Sequence, residues 1–286
     1  MKILILGASG MIGHAIFDLC NRVDKWHTIG TYNTEKNSPF LKKNNIINLS
    51  LNYKSKQNIL INKIKQINPD VIINCVGIIK QKQFAEDIRN IIFLNSLLPH
   101  DLVELGKKLN FRLIHISTDC IFSGLEGNYS ELMSSDAKDV YGKTKYLGEV
   151  VDKKNLTIRT STIGHEIASH HGLLEWFLSQ KKSCEGYANA YFSGLTNIEL
   201  AKIIRDVIIP NNNISGLYNV GGKKIDKYSL LILISKIYKK NIAINKNITF
   251  KIDRSISSKN FCKNFNYKIK SWTNLIEEMY LRHDVI

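Results

Sequence analysis

The chain opens on an unbroken apolar run, Ile3-Leu4-Ile5-Leu6, that stops abruptly at Gly7. A short apolar run bounded by a turn reads as a strand covered on both faces. Residues 11–21 then switch to helical period, 26–31 and 46–49 read as second and third strands, and Ile59, Leu60, Ile64 and Ile67 place a helix over 55–67. Asn68-Pro69-Asp70 announces a strand over 71–74. A long helical stretch over 84–109, a strand over 112–117, a helix over 141–151 and a strand over 156–159 complete the alternation. Strands alternating with helices predict an α/β fold, a doubly wound parallel sheet covered on both faces. Beyond Thr160 the rhythm loosens. Residues 172–180 read as a helix, and Thr196-Asn197-Ile198-Glu199 as a capping box, with Thr196 accepting from a first-turn N–H while Glu199 reaches back to the Thr196 N–H. That helix runs to about 208 and stops at Pro210; a strand over 215–220, a helix over 228–238 and a strand over 248–252 follow. The expected division is one domain from 1–160 plus roughly 196–210, and a smaller C-terminal lobe from 161–195 and 211–286.

Gly7-Ala8-Ser9-Gly10-Met11-Ile12-Gly13 sits between the first strand and the first helix, with G-x-x-G-x-x-G spacing. Glycines there permit a tight turn and let backbone N–H groups approach a pyrophosphate at the helix N-terminus. Gly7, Ser9, Gly10, Met11, Ile12 and Gly13 are therefore candidate dinucleotide contacts. Sites that prefer NAD usually place an acid at the end of the second strand. Here that end is Gly30-Thr31-Tyr32-Asn33-Thr34, with no acid until Glu35. Tyr32, Asn33 and Lys36 suit a 2′-phosphate, so NADPH is the expected cofactor and NADH remains open.

Candidate chemistry follows the strand Ile114-His115-Ile116-Ser117, which delivers Thr118 to the carboxyl edge of the sheet. Tyr141-Gly142-Lys143-Thr144-Lys145 lies on the next predicted helix, where residues four apart share a face. Lys145 is expected to lower the Tyr141 phenol from its usual value near 10 toward neutrality. Thr118 would donate to the same substrate oxygen while a nicotinamide supplies hydride. Trp176, Phe177 and Leu178 read as core residues, with cover over a nucleotide base as the alternative. His115, alternating with apolar neighbours, reads as a packing residue.

Composition narrows the classes. The net charge is +15, but lysine pairs such as Lys42-Lys43, Lys107-Lys108 and Lys223-Lys224 are dispersed, which argues against a nucleic-acid stripe. Five cysteines without a C-x-x-C pair argue for a reducing, cytoplasmic setting and against a zinc site. Spacings of five and six among His165, His170 and His171 do not fit a metal motif, and no metal is expected. No stretch approaches the roughly 20 apolar residues of a membrane span. Gly7 and Gly10 interrupt the N-terminal run too early for a secretory leader.

The segments 7–13, Asn74-Cys75-Val76-Gly77, Asn95, 117–124, 141–149, Arg159-Thr160-Ser161, 194–201 and 216–221 together resemble extended short-chain dehydrogenase/reductases, most of all the dTDP-4-dehydrorhamnose reductase family. The most discriminating is Ser117-Thr118-Asp119-Cys120-Ile121-Phe122-Ser123-Gly124. The resemblance implies a Rossmann-type fold whose first domain binds NADP and whose smaller lobe binds substrate. It implies reduction of the C4 ketone of a nucleotide-linked 4-keto-6-deoxy sugar, dTDP-4-dehydrorhamnose or a UDP-linked N-acetamido analogue, in surface polysaccharide precursor synthesis. Thr118, Tyr141 and Lys145 would be catalytic. Cys75, Val76, Gly77, Asn95 and Ser117 would join the cofactor side, and Thr118, Asp119, Cys120, Thr160, Ser161, Trp176 and Thr196 the sugar-nucleotide side. A homodimer stays open.

The chain departs from that family in two places. Cys120 stands where a tyrosine is usual, and Gly194-Leu195-Thr196 lacks the usual proline. Cys120 also rules against a 4,6-dehydratase, which needs a carboxyl there. It opens an alternative similar to GDP-fucose synthase, with epimerisation before reduction, Cys120 as acid/base and His165, His170 or His171 as partner. An alternative from another class is a non-catalytic, NADP-binding regulatory subunit.

Overall fold

A computed structural model of the chain describes residues 1–33, 39–42, 45–54, 57–79, 87–167 and 171–282. Among these, β1 (Lys2–Leu6), β2 (His27–Tyr32), β3 (Ile46–Asn48), β4 (Val71–Asn74), β5 (Arg112–Thr118) and β6 (Leu156–Thr160) align in parallel with a late strand, β10 (Gly216–Asn219). The order is β10-β6-β5-β4-β1-β2-β3. The sheet is wound outward in both directions from β1 and β4, and sheets wound in this way take their ligands in the crevice outside the carboxyl ends of those strands.

The alternation of side chains explains why both faces are covered. Ile3, Ile5, Ile114 and Ile116 point to the face packed by α1 (Met11–Asn21) and α7 (Asn197–Ile203). Leu4, Leu6, Ile72 and Leu113 point to the opposite face, covered by α2 (Gln57–Ile67) and α4 (Leu98–Leu109). Each such side chain, removed from water, contributes about 1.5–3 kcal/mol. Between these lie α3 (Ile88–Ile92), α5 (Val140–Leu147) and α6 (Leu173–Ser179).

The smaller lobe is built on β8 (Ser183–Phe192), which pairs in parallel with β12 (Ala243–Asp253) and antiparallel with β11 (Ile225–Asp226). Helices α8 (Lys227–Ile237), α9 (Lys259–Phe265) and α10 (Trp272–Leu281) accompany it, and β7 (Thr162–Ile163) pairs with β9 (Leu195–Thr196) as a small separate sheet. Residues 253–257 join the two parts. Asp253 N–H donates to Gly124 O (2.7 Å), Arg254 N–H to Tyr191 O (3.0 Å) and Ser257 N–H to Tyr129 O (2.7 Å).

Several expectations change. Residues 216–219 extend the large sheet instead of belonging to the smaller lobe. β8 is unannounced in the sequence because Gly186, Asn189 and two alanines carry little strand preference; pairing with β12 fixes it. The 88–109 segment divides around a π turn, Phe93–Leu97. The capping box forms only in half. Thr196 Oγ1 accepts from Glu199 N–H at 3.3 Å, but the Glu199 carboxylate accepts from Tyr267 and Lys270, each at 2.6 Å.

Candidate active site

The glycine turn has the shape that its spacing requires. Gly7 adopts φ +82, open to glycine at low cost. A Cβ at Gly13 would run into the Gly7 carbonyl, so helix and strand close together only without one. Gly7 N–H donates to Thr31 Oγ1 (3.1 Å) and Ala8 N–H to Thr31 O (2.7 Å), tying the turn to β2. Gly10 caps α1 without a side chain, and no acid occupies the first helical turn. The first N–H groups of a helix have no partner within it, so Met11, Ile12 and Gly13 present a positive helix end suited to a pyrophosphate. These features fit a dinucleotide. Ser9 and Tyr32 are half-buried and Asn33 exposed at the adjoining strand end; Lys36 lies outside the described residues.

The next wall of the crevice follows β4. Cys75 and Val76 pack against Gly7, and Gly77 lies beside Asn95 and Lys145. Burial pushes the Cys75 thiol up to about 12. Asn95 is fully buried: its Oδ1 accepts from Ile78 N–H (2.8 Å), and its Nδ2 donates to Ile78 O and to Thr144 Oγ1, both 3.1 Å. It clamps the wall to α5.

Helix α5 carries Tyr141 and Lys145. Asp139 caps it through Gly142 N–H at 2.8 Å. Gly142 lets it approach, since a Cβ there would collide with the Cys120 carbonyl and Ala137. That close approach brings Tyr141 beside Thr118, which opposes the rise of its phenol. Thr118 Oγ1 accepts from Cys120 N–H (3.1 Å) and donates to Asp119 Oδ1 (3.2 Å). Residues Asp119–Ile121 form a tight 3-10 turn, so Thr118 and Cys120 are not related by the side-to-side alternation of a strand.

The electrostatics differ from the sequence expectation in one respect. The Tyr141 phenol is raised and not lowered. Burial raises Tyr141, as do the neighbouring Cys120, Asp119 and Asp139. The Lys145 ammonium instead donates to Ile116 O at 2.7 Å and stands 3.4 Å from His115 Nε2. Burial in that floor lowers Lys145 to about 8, against the pull of Glu149 and Cys75.

Ser117 points down to the floor and not into the crevice. Its hydroxyl donates to Glu149 Oε1 at 2.7 Å, and Glu149 pairs with Arg159 at 2.8 Å, both side chains almost fully buried. Burial raises the Asp119 carboxyl, while Lys227, Arg254 and the Ser161 hydroxyl oppose the rise. These two cations come from the smaller lobe. Lys227 opens α8 and lies over the Phe192 ring at 3.6 Å. Arg254 Nε donates to Phe122 O at 2.9 Å, and its Nη1 is 4.0 Å from Cys120 Sγ. Burial lowers Lys227 to about 8, with Asp119 and Cys120 pulling the other way. Neither cation carries a signal of spacing or motif. Gly142, by contrast, was visible beside the candidate tyrosine.

Other expected residues fall as follows. Burial and Asp119 push the Cys120 thiol up to about 12, which disfavours the thiolate that a base would need. His165 is held by Glu175 (2.7 Å) and Tyr238 (2.9 Å), His171 is exposed, and His170 lies outside the described residues. Thr160 is buried, and Thr196 is buried with its hydroxyl accepting from the Glu199 N–H. Trp176 is 38% exposed, because α6 buries Leu174 and Phe177 instead. Among the described residues no helix is long and apolar enough to cross a membrane.

A glycine-turned, doubly wound parallel sheet with a Thr–Tyr–Lys group at its carboxyl edge defines a Rossmann-type α/β protein. Residues 1–183 match the model of the RmlD substrate binding domain, and the chain belongs to that family. It is similar to methionine adenosyltransferase 2 subunit beta of Danio rerio, with 27% identity over 150 residues, 52% of this chain and 42% of that protein. The match thus spans less than half the length of that relative. It is also similar to a dTDP-4-dehydrorhamnose reductase of Aggregatibacter actinomycetemcomitans, with 23% identity over 232 residues, 78% of this chain and 74% of that one. Among solved structures, the dTDP-4-dehydrorhamnose reductase of Bacillus anthracis str. Ames in complex with NADP superposes with a TM-score of 0.80, 17% identity and 99% of each chain covered. A hypothetical dTDP-4-dehydrorhamnose reductase from Sulfolobus tokodaii gives 0.79, with 23% identity over 95% of this chain and 97% of that one.

Proposed function

We propose that the chain is an NADPH-dependent reductase acting on the C4 ketone of a nucleotide-diphosphate-linked 4-keto-6-deoxy sugar. The observation that carries this reading is the convergence of Thr118, Tyr141 and Lys145 beside the glycine turn. NADPH, held by residues 7–13 and the wall 75–77, would supply the hydride. The raised Tyr141 phenol suits reduction: it stays protonated at neutral pH and donates its proton to the developing alkoxide. Thr118 would turn its one hydroxyl hydrogen from Asp119 Oδ1 to the same oxygen as a second hydrogen bond. Lys227 and Arg254 supply positive charge for an anionic substrate group. Family membership and the names of the related reductases support the reaction class.

The test is to incubate the protein with NADPH and dTDP-, UDP- and GDP-linked 4-keto-6-deoxy sugars in deuterated water. Oxidation of NADPH with one of them is expected, without deuterium at C3 or C5. Tyr141→Phe should lower turnover by about 10²–10⁴-fold and leave the NADPH Kd unchanged; a wild-type rate in this variant would overturn the proton-donor role. The relatives named as a beta subunit of methionine adenosyltransferase favour a second reading, a cofactor-binding subunit without turnover. Tight NADPH binding with no oxidation by any sugar would select it.

A further inference from the structure

His115, read from the sequence as a packing residue, touches the candidate catalytic lysine. It is fully buried in β5, between Asn74 on β4 and Lys145 on α5. The orientation of Asn74 is fixed by a group with a single role: the Val76 backbone N–H donates to its Oδ1 at 3.1 Å. The amide NH2 therefore faces His115 Nδ1, at 3.2 Å. An NH2 can only donate, so Nδ1 must accept. Burial, with Lys145 and His100 nearby, holds the ring well below its ordinary pKa, and it is neutral. A neutral imidazole whose Nδ1 accepts carries its hydrogen on Nε2. That Nε2 stands 3.4 Å from Lys145 Nζ.

An N–H facing an ammonium sets donor against donor. Facing an uncharged amine, it makes a hydrogen bond. We propose that His115, oriented by Asn74, is a positioning residue for Lys145: the His115 Nε2–H faces Lys145 Nζ as a donor and favours the uncharged amine over the ammonium. The other groups facing Nζ are Glu149 from the segment after α5, Cys75 from the wall after β4 and the Ile116 carbonyl from β5. Glu149 favours the ammonium, but it is already paired with Arg159. The inference deepens the reductase reading, on which its meaning for turnover rests; its test does not.

Long-range 1H–15N NMR of the 15N-histidine-labelled protein reports the tautomer, with the His115 ring assigned through its loss in His115→Gln. An Nε2–H ring is expected from about pH 6 to 9, and an Nδ1–H ring would overturn the proposal. The 13C signal of the lysine ε-carbon, assigned through Lys145→Arg, reports the titration of Lys145. His115→Gln can turn a side-chain oxygen toward the ammonium. Asn74→Asp still accepts from Val76 but draws the imidazole hydrogen to Nδ1, leaving Nε2 as an acceptor. Each should raise the Lys145 midpoint by about one pH unit. An unchanged midpoint in a folded variant would assign His115 to packing alone. Should both variants fail to fold, the wild-type tautomer still decides. Neither readout needs turnover, so a failed reductase assay leaves them intact.

Discussion

The floor and the roof of the crevice are built on opposite principles. The floor comprises Asn74, His115, Ser117, Lys145, Glu149 and Arg159, drawn from neighbouring strands and the helix packed on them. Every polar group named in it meets a partner within the Rossmann half. The roof comprises Asp119, Cys120, Lys227 and Arg254, brought together by contacts between distant parts of the chain. The floor is buried, with Glu149 paired to Arg159 and the Lys145 ammonium held by the Ile116 carbonyl; the roof holds two cations against one buried carboxyl. The first arrangement suits orienting a reactive group, the second suits receiving an anionic ligand.

Breaking the floor should cost most. Arg159→Leu leaves Glu149 buried without its cation and should destabilise the fold by about 3–5 kcal/mol, read from chemical denaturation. A loss below about 1 kcal/mol, the level of an exposed pair, would place the Arg159–Glu149 bridge in contact with water. Breaking the roof should cost less and in a different parameter. Lys227→Met should raise KM for the sugar nucleotide about tenfold, with little change in kcat; a fall in kcat at unchanged KM would move Lys227 from binding to chemistry. The smallest effect belongs to Cys120. Its thiol is held near 12 by burial and Asp119, so Cys120→Ser should keep reduction within about twofold of wild type. Loss of turnover there, together with deuterium at C3 or C5 in the wild-type product, would revive an epimerising role.

The same contrast separates what could be read in advance from what could not. The glycine turn, Thr118 and the Tyr141–Lys145 pair were legible because each depends on spacing within one strand, turn or helix. Gly7–Gly13 must spare its Cβ atoms for β1 and α1 to meet, and a pair four apart must share a helical face. The pKa of Tyr141 was misread for a related reason. Spacing placed a cation on the same helix, but its direction was decided by β5, where the Ile116 carbonyl captures the ammonium. Burial, which raises the phenol, is a property of the packed whole.

By itself, the sequence determined the doubly wound sheet, the glycine turn and the grouping of the candidate residues Thr118, Tyr141 and Lys145, because local period and backbone sterics specify them. Only the tertiary structure decided that β10 closes the large sheet, that β8 is a strand, and that Lys227 and Arg254 meet Asp119 and Cys120. Those outcomes depend on pairing and packing between segments far apart in the chain, and no local pattern of residues encodes a distance across the fold.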